Sequence, residues 1–389
     1  MKKNAHRTPR QHRDLGPNAP LIGKPRARQA LATPALLLDL DRFEHNLGAM
    51  SRLVERSGLK LRPHAKTHKT VEIARRQIAA GAVGISVATL REATVMVEAG
   101  IPGVLLTTPL AGALKLDLMI ALARRARGFM AAVDDPATVE YLARGLARRG
   151  AKLPVLVDID IGMKRTGVPA VGEAIELIHR VRSSRALEFA GLQCYSGRVQ
   201  HITRAADRAR VYGRQLEHLE RVLEAAARAG IRPGIVSGGG TGTFDIDRRA
   251  HLFTECQCGS YAVMDVEYQA VELFAGARHP FKTALFVQCS VVSNHHPRQP
   301  TIDGGFKCFS MDGPLPEIAS GAPRGSRYRF YGDEFGKIKL PAGSALALGA
   351  KVELITPHCD PTINLHDFIH CVRGTRLVGI WPIAARGSL

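Results

Sequence analysis

The stretch PVLVDIDIGMKRTGVPAVGEAIELIHRVRSSRALEFAGLQCY, Pro154 to Tyr195, decides the fold. PVLVDID (154–160) and FAGLQCY (189–195) are short apolar runs of strand length, and AVGEAIELIHRVRSS between them is an amphipathic helical segment. A strand, a helix and a second strand in this order call for parallel pairing, with the helix as crossover. The same unit recurs along the chain. Further strand candidates are ALLLDL (35–40), LRPHAKT (61–67), VGISVAT (83–89), VLLTTP (104–109), GFMAAVDD (128–135) and GIVSGG (234–239), separated by helical segments such as DRFEHNLGAMSRLVERSG. Eight strands with interleaved helices predict a (β/α)8 TIM barrel over residues 33–270.

Beyond that point the helices stop. TALFVQCSVVSN, RYRFYG, GSALALGAKVELIT and CVRGTRLVGIWPI read as strands broken by Gly and Pro turns, predicting a mostly antiparallel β domain over 271–389. Residues 1–32 form a basic N-terminal tail, expected to be partly flexible or packed on the β domain. Two domains are the ordinary expectation for 389 residues.

Composition narrows the function classes. With 45% hydrophobic and 23% charged residues the chain reads as a globular enzyme, and no apolar run approaches the ~20 residues of a membrane span. The opening MKKNAHRTPRQHRDLGPNAP carries no apolar signal core, so a cytoplasmic location and no membrane partner are expected. Of the net charge of +19, residues 1–28 supply +7, from eight Lys and Arg against Asp14. The rest sits largely in helical arginine patterns such as LARGLARRG, without any nucleic-acid-binding signature, so no nucleic-acid partner is expected and an anionic small substrate is favoured. Seven cysteines, without paired CxxC motifs, argue for reduced core thiols.

Several short motifs carry chemistry. LRPHAKTHKT (61–70), read as an extended strand, puts His64, Lys66 and His68 on one face and Lys69 on the other. A charged edge strand fits this pattern, and so does a lysine whose amine is tuned by neighbouring cations to form a Schiff base with an aldehyde. As the second barrel strand it would bring Lys66 to the mouth, where barrel active sites lie. VSGGGTGT (236–243), with Ser237, Gly239, Gly240 and Thr241, follows the last strand candidate and reads as a flexible turn or a phosphate loop. CGSY, with Gly259, Ser260 and Tyr261, offers a second turn over the same phosphate. Arg165 stands just past the sixth strand as a surface arginine or a fork for a phenolate or carboxylate. Gln193 and Tyr195 alternate along the seventh strand, and His201 follows on its loop. In PHCDPTINLHD (357–367), His358 and Asp360 share a face if extended, with Cys359 opposite, giving a metal pair or a hydrogen-bonded pair.

Together RPHAKTHK, IDIGMKRTGV, QCYSGRVQH, VSGGGTGT, CGSYAVMD and PHCDPTINLHDF resemble the D-threonine aldolase and D-serine dehydratase family, in the family's order, from about Thr33 to Gly387. These are pyridoxal phosphate enzymes with an alanine-racemase-like barrel. The resemblance implies that Lys66 holds pyridoxal 5′-phosphate, that Arg165 stands near its phenolic oxygen, and that Gly239, Gly240, Thr241, Gly259 and Ser260 cradle its phosphate. It further implies that His358 and Asp360 bind a divalent metal and that His201 works near the substrate β-hydroxyl. Tyr195 is a candidate for the group facing the pyridine nitrogen. The implied reaction is retro-aldol cleavage of a D-3-hydroxy amino acid to glycine and an aldehyde, by a homodimer. The alternatives are a D-serine or 3-hydroxyaspartate dehydratase, a racemase, and a non-catalytic pyridoxal phosphate carrier. The resemblance also implies that aldolases carry an acidic residue two after the metal histidine, where dehydratases carry a thiolate. Asp360, a hard oxygen donor, favours Mn²⁺ or Mg²⁺ over Zn²⁺.

Overall fold

The computed structural model describes residues 15–126 and 128–387. The most basic part of the expected tail, residues 1–14, lies outside them. The chain divides into two compact units, one built around 47–261 with 270–280, the other from the segments up to Asn46, Ala262–Gln269 and Phe281–Arg386.

In chain order the strands are β1 (Ala35–Asp39), β2 (Lys60–Leu61), β3 (Ile85–Val87), β4 (Val104–Leu106), β5 (Met130–Val133), β6 (Leu153–Asp158), β7 (Leu187–Cys194), β8 (Ile235–Gly238) and β9 (Glu255–Cys256). Strands β2 to β9 make one parallel eight-stranded sheet in the order β2-β9-β8-β7-β6-β5-β4-β3. The sheet curls until its ends meet. The amide of Val83 donates to Leu61 O at 2.9 Å, the amide of Ser86 to Pro63 O at 2.9 Å, and His64 bridges Ser86. This is the (β/α)8-type barrel that the strand–helix alternation predicts.

Helices between the strands start at recognisable caps. Thr89 accepts the Glu92 amide at 3.2 Å before the helix Leu90–Glu98, and Asp135 accepts the Thr138 amide at 3.0 Å with Pro136 in the first turn of Pro136–Ala147. Leu105, Met130 and Leu156 pack with Ala190 and Ile235, so five adjacent strands share one apolar cluster. Each leucine-sized side chain withdrawn from water there contributes roughly 1.5–3 kcal/mol.

Arg62 fastens the seam between β2 and β3. Its Nε and one terminal nitrogen hold the two Glu255 carboxylate oxygens at 2.7 and 2.8 Å, and its other terminal nitrogen donates to Gly103 O at 2.5 Å. The pair is buried, and Gly84 is glycine because a Cβ there would strike the Arg62 guanidinium and Gly103 O.

The other unit contains β1 together with β10 (Leu285–Ser293), β11 (Thr301–Ile302), β12 (Glu317–Ser320), β13 (Arg327–Phe330), β14 (Gly336–Lys339), β15 (Lys351–Ile355), β16 (Phe368–Arg373) and β17 (Arg376–Pro382). Its sheet runs β13-β14-β11-β10-β1-β16-β17, with β15 between β10 and β12, and every pair except β1/β16 is antiparallel. Leu15, Ala19, Ala27 and Leu31 are buried against Leu37, Phe286, Val372, Leu377 and Ile380 in its core.

Two strand expectations need correction. ALLLDL is not the first barrel strand: Leu37 pairs with Phe286 and His370 in the antiparallel sheet. The eighth place in the barrel is taken instead by β9, two residues long. And LRPHAKT is strand only at Lys60–Leu61, since Ala65–Thr67 is a turn of 3-10 helix.

Candidate active site

The 3-10 turn rearranges the HAKTH motif. His64 caps it: its Nδ1 accepts the Lys66 amide at 3.3 Å, which puts the ring proton on Nε2, facing Thr107 Oγ1 at 3.1 Å. His68 is fully buried, with Nδ1 accepting the Thr70 amide at 3.1 Å and Nε2 donating to Gln77 Oε1 at 3.2 Å. Lys69, at φ +50°, pairs with buried Glu92 at 2.6 Å. The expected row of three cations on one strand face therefore does not exist, because alternation requires an extended backbone and this one turns. Lys66 and His64 face one cavity, and His68 and Lys69 are not among the residues that line it.

That cavity, about 480 Å³, is lined by His64, Lys66, Thr107, Arg165, Gln193, Tyr195 and Gln257 among others. Arg165 lies with its guanidinium carbon 5.6 Å from the Tyr195 ring centroid. The loop that carries it is pinned by three carboxylates. Asp160 Oδ1 accepts the amides of Gly162 and Lys164 at 2.8 and 3.0 Å, Asp134 Oδ2 accepts the Gly167 amide at 2.9 Å, and Asp158 Oδ2 accepts the Thr166 hydroxyl at 2.9 Å. Gly167 sits at φ +95°, where a side chain would also meet the Asp160 backbone.

Asp158 also accepts Gln193 Nε2 at 3.1 Å. Burial pushes its carboxyl up to about 7, against the lowering effect of the Gln193 and Thr166 hydrogen bonds and of Arg165. Gln193 donates to Thr107 O at 2.5 Å, and Gln257 donates to Ser237 Oγ at 2.9 Å and toward Gln193 Oε1 at 3.4 Å. Ser237 is thus one hydrogen bond behind the cavity wall. Asp158, Asp134 and Gln257 were not singled out from sequence. Alternating aspartates before a glycine in DIDIG were the available signal.

The glycine loop holds its own shape. A Cβ on Gly239, at φ +63°, would strike the Asp247 carboxyl; one on Gly240 or Gly242 would strike Gln200; one on Gly259 would strike Thr67. The Gly240 amide donates to Thr243 Oγ1 at 3.0 Å and the Gly242 amide to Gln200 Oε1 at 2.9 Å. Thr241 Oγ1 accepts the amide of Tyr261, a buried residue whose hydroxyl accepts Gln77 Nε2 at 3.5 Å, while Ser260 is buried beside it. None of these residues, nor His201 in its turn before the helix Ala205–Arg228, is among the side chains lining the 480 Å³ cavity.

His358 and Asp360 belong to the other unit and are described by themselves. His358 is the extended residue before the helix Cys359–Asn364, so Asp360 lies in a first helical turn and the pair does not share a strand face. His358 Nδ1 stands 2.8 Å from Asp312 Oδ2. Burial lowers its basicity, and Asp360, Asp312 and Asp265 more than reverse this, so the imidazole is more basic than usual. Glu267 joins the same acidic neighbourhood, its carboxyl raised by burial despite His358. Cys359 is buried, its amide on Asp265 Oδ2 at 2.8 Å and its thiol directed at Asp360 Oδ1 at 3.3 Å. Among the described residues no group of three or more His, Cys, Asp or Glu is placed to hold a metal, and the expected donor set is the pair alone.

Residues 38–266 match the alanine racemase N-terminal domain family, and residues 284–372 the putative serine dehydratase domain. A D-threonine aldolase of Arthrobacter sp is 37% identical over 94% of this chain and 95% of its own length. The chain belongs to the D-threonine aldolase and D-serine dehydratase family. A 3-hydroxy-D-aspartate aldolase of Paracoccus denitrificans is 32% identical over 92% of the chain and 93% of its own length. The crystal structure of a D-threonine aldolase from Filomicrobium marinum superposes with a TM-score of 0.87 at 38% identity, covering 92% of this chain and 96% of that one. This family member brings Lys66, Arg165, Gln193 and Tyr195 to one cavity, and keeps the glycine loop as a separate, self-braced element of the same unit.

Proposed function

We propose that the chain cleaves a D-3-hydroxy amino acid of the D-threonine or D-3-hydroxyaspartate type to glycine and an aldehyde, using pyridoxal 5′-phosphate and a divalent metal. The observation that carries this is the placement of the Lys66 amine and the Arg165 guanidinium on one cavity at the barrel mouth. The amine and the guanidinium fit the aldehyde and the phenolic oxygen of the cofactor, and the turns of Gly239, Gly240, Thr241, Gly259 and Ser260 are assigned to its phosphate by the motif resemblance, with the Gly240 amide held by Thr243 Oγ1. When bound, the cofactor supplies a ring that takes up the electrons released at the α-carbon.

In the proposed cleavage the β-hydroxyl gives up its proton, the Cα–Cβ bond breaks, the β-carbon leaves as the aldehyde, and the α-carbon regains a proton to give glycine. Lys66 binds and positions through its amine, while His64, held by Thr107, buttresses the turn that presents it. Arg165 orients, with Asp134, Asp158 and Asp160 fixing its loop. His201 is proposed to take the β-hydroxyl proton, a role supported by the motif resemblance. The donor set of His358 and Asp360, one nitrogen and one hard carboxylate among further acids, fits Mn²⁺ or Mg²⁺ better than Zn²⁺, and such an ion supplies positive charge that favours an ionised hydroxyl. A homodimer acting in the cytoplasm completes the proposal, and among the described residues no helix is long and apolar enough to cross a membrane.

The decisive experiment is a product assay. D-threonine or D-3-hydroxyaspartate incubated with the protein, cofactor and Mn²⁺ yields glycine plus an aldehyde, and chelation or Asp360→Ala abolishes the yield. Release of 2-oxobutanoate or oxaloacetate with ammonia, and no glycine, would establish the dehydratase instead.

A further inference from the structure

The helix Phe244–Ala250 follows the glycine loop directly and carries two aspartates with opposite surroundings. Asp245 is paired with Arg248 and Arg249. Asp247, two residues on, is fully buried and meets no such cation among the described residues. Its carboxyl lies against Gly239 where a Cβ would be and accepts the Thr243 hydroxyl at 2.7 Å, and Thr243 Oγ1 in turn accepts the Gly240 amide at 3.0 Å. From the helix Ala205–Arg228 the Tyr212 hydroxyl faces it, with Cys194 at the end of β7 behind Tyr212, and Cys258 faces it from the turn after β9. Among the described residues Asp247 Oδ1 and the Tyr212 hydroxyl, both buried, have no hydrogen-bond partner of good geometry.

We propose that Asp247 is the positioning residue of the glycine loop: neutral, it braces Gly239 and Gly240 for a phosphate group, and ionised, it sets a buried negative charge against that phosphate. The inference deepens the proposed function and rests on its assignment of the loop as the phosphate cradle. Burial holds the carboxyl up at about 7, so the change from brace to repulsion falls in the physiological range. The direction follows from linkage. A phosphate that binds better to the neutral form makes that form more common, and each unit by which it shifts the titration of Asp247 corresponds to roughly tenfold in phosphate affinity between the two forms. The phosphate's own second ionisation, near pH ~6, acts the other way, because the dianion binds an amide cradle better than the monoanion.

The test compares the full-length wild type with Asp247→Asn, which keeps the shape and cannot ionise, by measuring the dissociation constants of pyridoxal 5′-phosphate and of pyridoxal from pH 6 to 8.5 through the visible absorbance of the bound ligand. Relative to the variant, the wild type loses roughly tenfold in affinity for the phosphorylated ligand across that range, as one unit of linked shift requires. For pyridoxal the two proteins run in parallel. Parallel courses for the phosphorylated ligand too, with a normal absorbance band, overturn the role of Asp247 and leave the cofactor assignment standing; no band on Lys66 at any pH overturns the assignment itself. Should Asp247→Asn not fold, Thr243→Val removes the hydroxyl that favours the ionised carboxyl, so the loss of affinity moves to higher pH, and an unmoved course overturns the proposal.

Discussion

Asp158→Asn should make the protein more stable and less active at the same pH. The carboxyl is buried, and its folded-state titration near 7 lies about three units above the unfolded reference of 3.8. Below pH ~4 both states hold the proton and the group contributes nothing to the pH dependence. As pH rises toward 7 the unfolded chain releases the proton while the fold retains it, so stability falls by about 1.4 kcal/mol per unit and then levels off. The accumulated cost is about 4 kcal/mol at most. An asparagine keeps hydrogen-bonding groups toward Gln193 and Thr166 and never incurs that cost. Thermal melts of both proteins from pH 4 to 8 should show the variant gaining steadily on the wild type, reaching up to ~5 °C if the whole chain melts together at about 2 cal/mol/K per residue. Turnover should drop at pH 8, where the wild type has a carboxylate beside Arg165, and much less at pH 6, where both groups are neutral. A melting difference that does not change with pH, or one that favours the wild type as pH rises, would refute the reasoning.

Lys66→Ala should lose the visible band of the bound cofactor while keeping the wild-type circular dichroism, and borohydride reduction followed by peptide mapping of the wild type should label Lys66 and no other lysine. Arg165→Lys should lower turnover and cofactor retention more than Arg125→Lys on its exposed helix end, since a lysine cannot replace a planar fork; equal behaviour of the two would reduce Arg165 to surface charge. Glu92→Ala strands the Lys69 ammonium and removes the acceptor of the Ala88 amide, at a cost of roughly 3–5 kcal/mol measured by denaturant unfolding.

The parts of the fold that were legible in the sequence are those whose signal is local. Ile85–Val87, Val104–Leu106, Met130–Val133 and Ile235–Gly238 are apolar runs between turns, and a strand buried on both faces has that composition wherever it pairs. Ala35–Asp39 has the same composition, but its partners lie some 250 and 330 residues away, and nothing in an apolar run states which sheet it joins. Glu255–Cys256 is too short to show any period. Lys66 and Arg165 were picked out by the motif resemblance, their residue types alone leaving a charged edge strand and a surface arginine open, whereas the surroundings of His64, His68 and Lys69 depended on a 3-10 turn that alternation cannot reveal. Asp158 and Asp247 look like ordinary acids in one dimension, and only burial distinguishes them from solvated ones.

The clasp at Arg62 gives the barrel a mechanical asymmetry. A closed ring of staves shares load around its circumference, and the ring gives first where the fastening is thinnest. Here β6 and β7 are laced along six register pairs, whereas the seam beside β3 is tied by the Val83 and Ser86 amides, by the Ser86 hydroxyl on Arg62 O at 3.1 Å, and by one guanidinium that reaches from Glu255 to Gly103. The stave at that seam runs straight on into the turn that presents Lys66. A loosening of that seam is therefore passed directly to the lysine, and the grip of one buried arginine across the gap bears on how stiffly the amine is held.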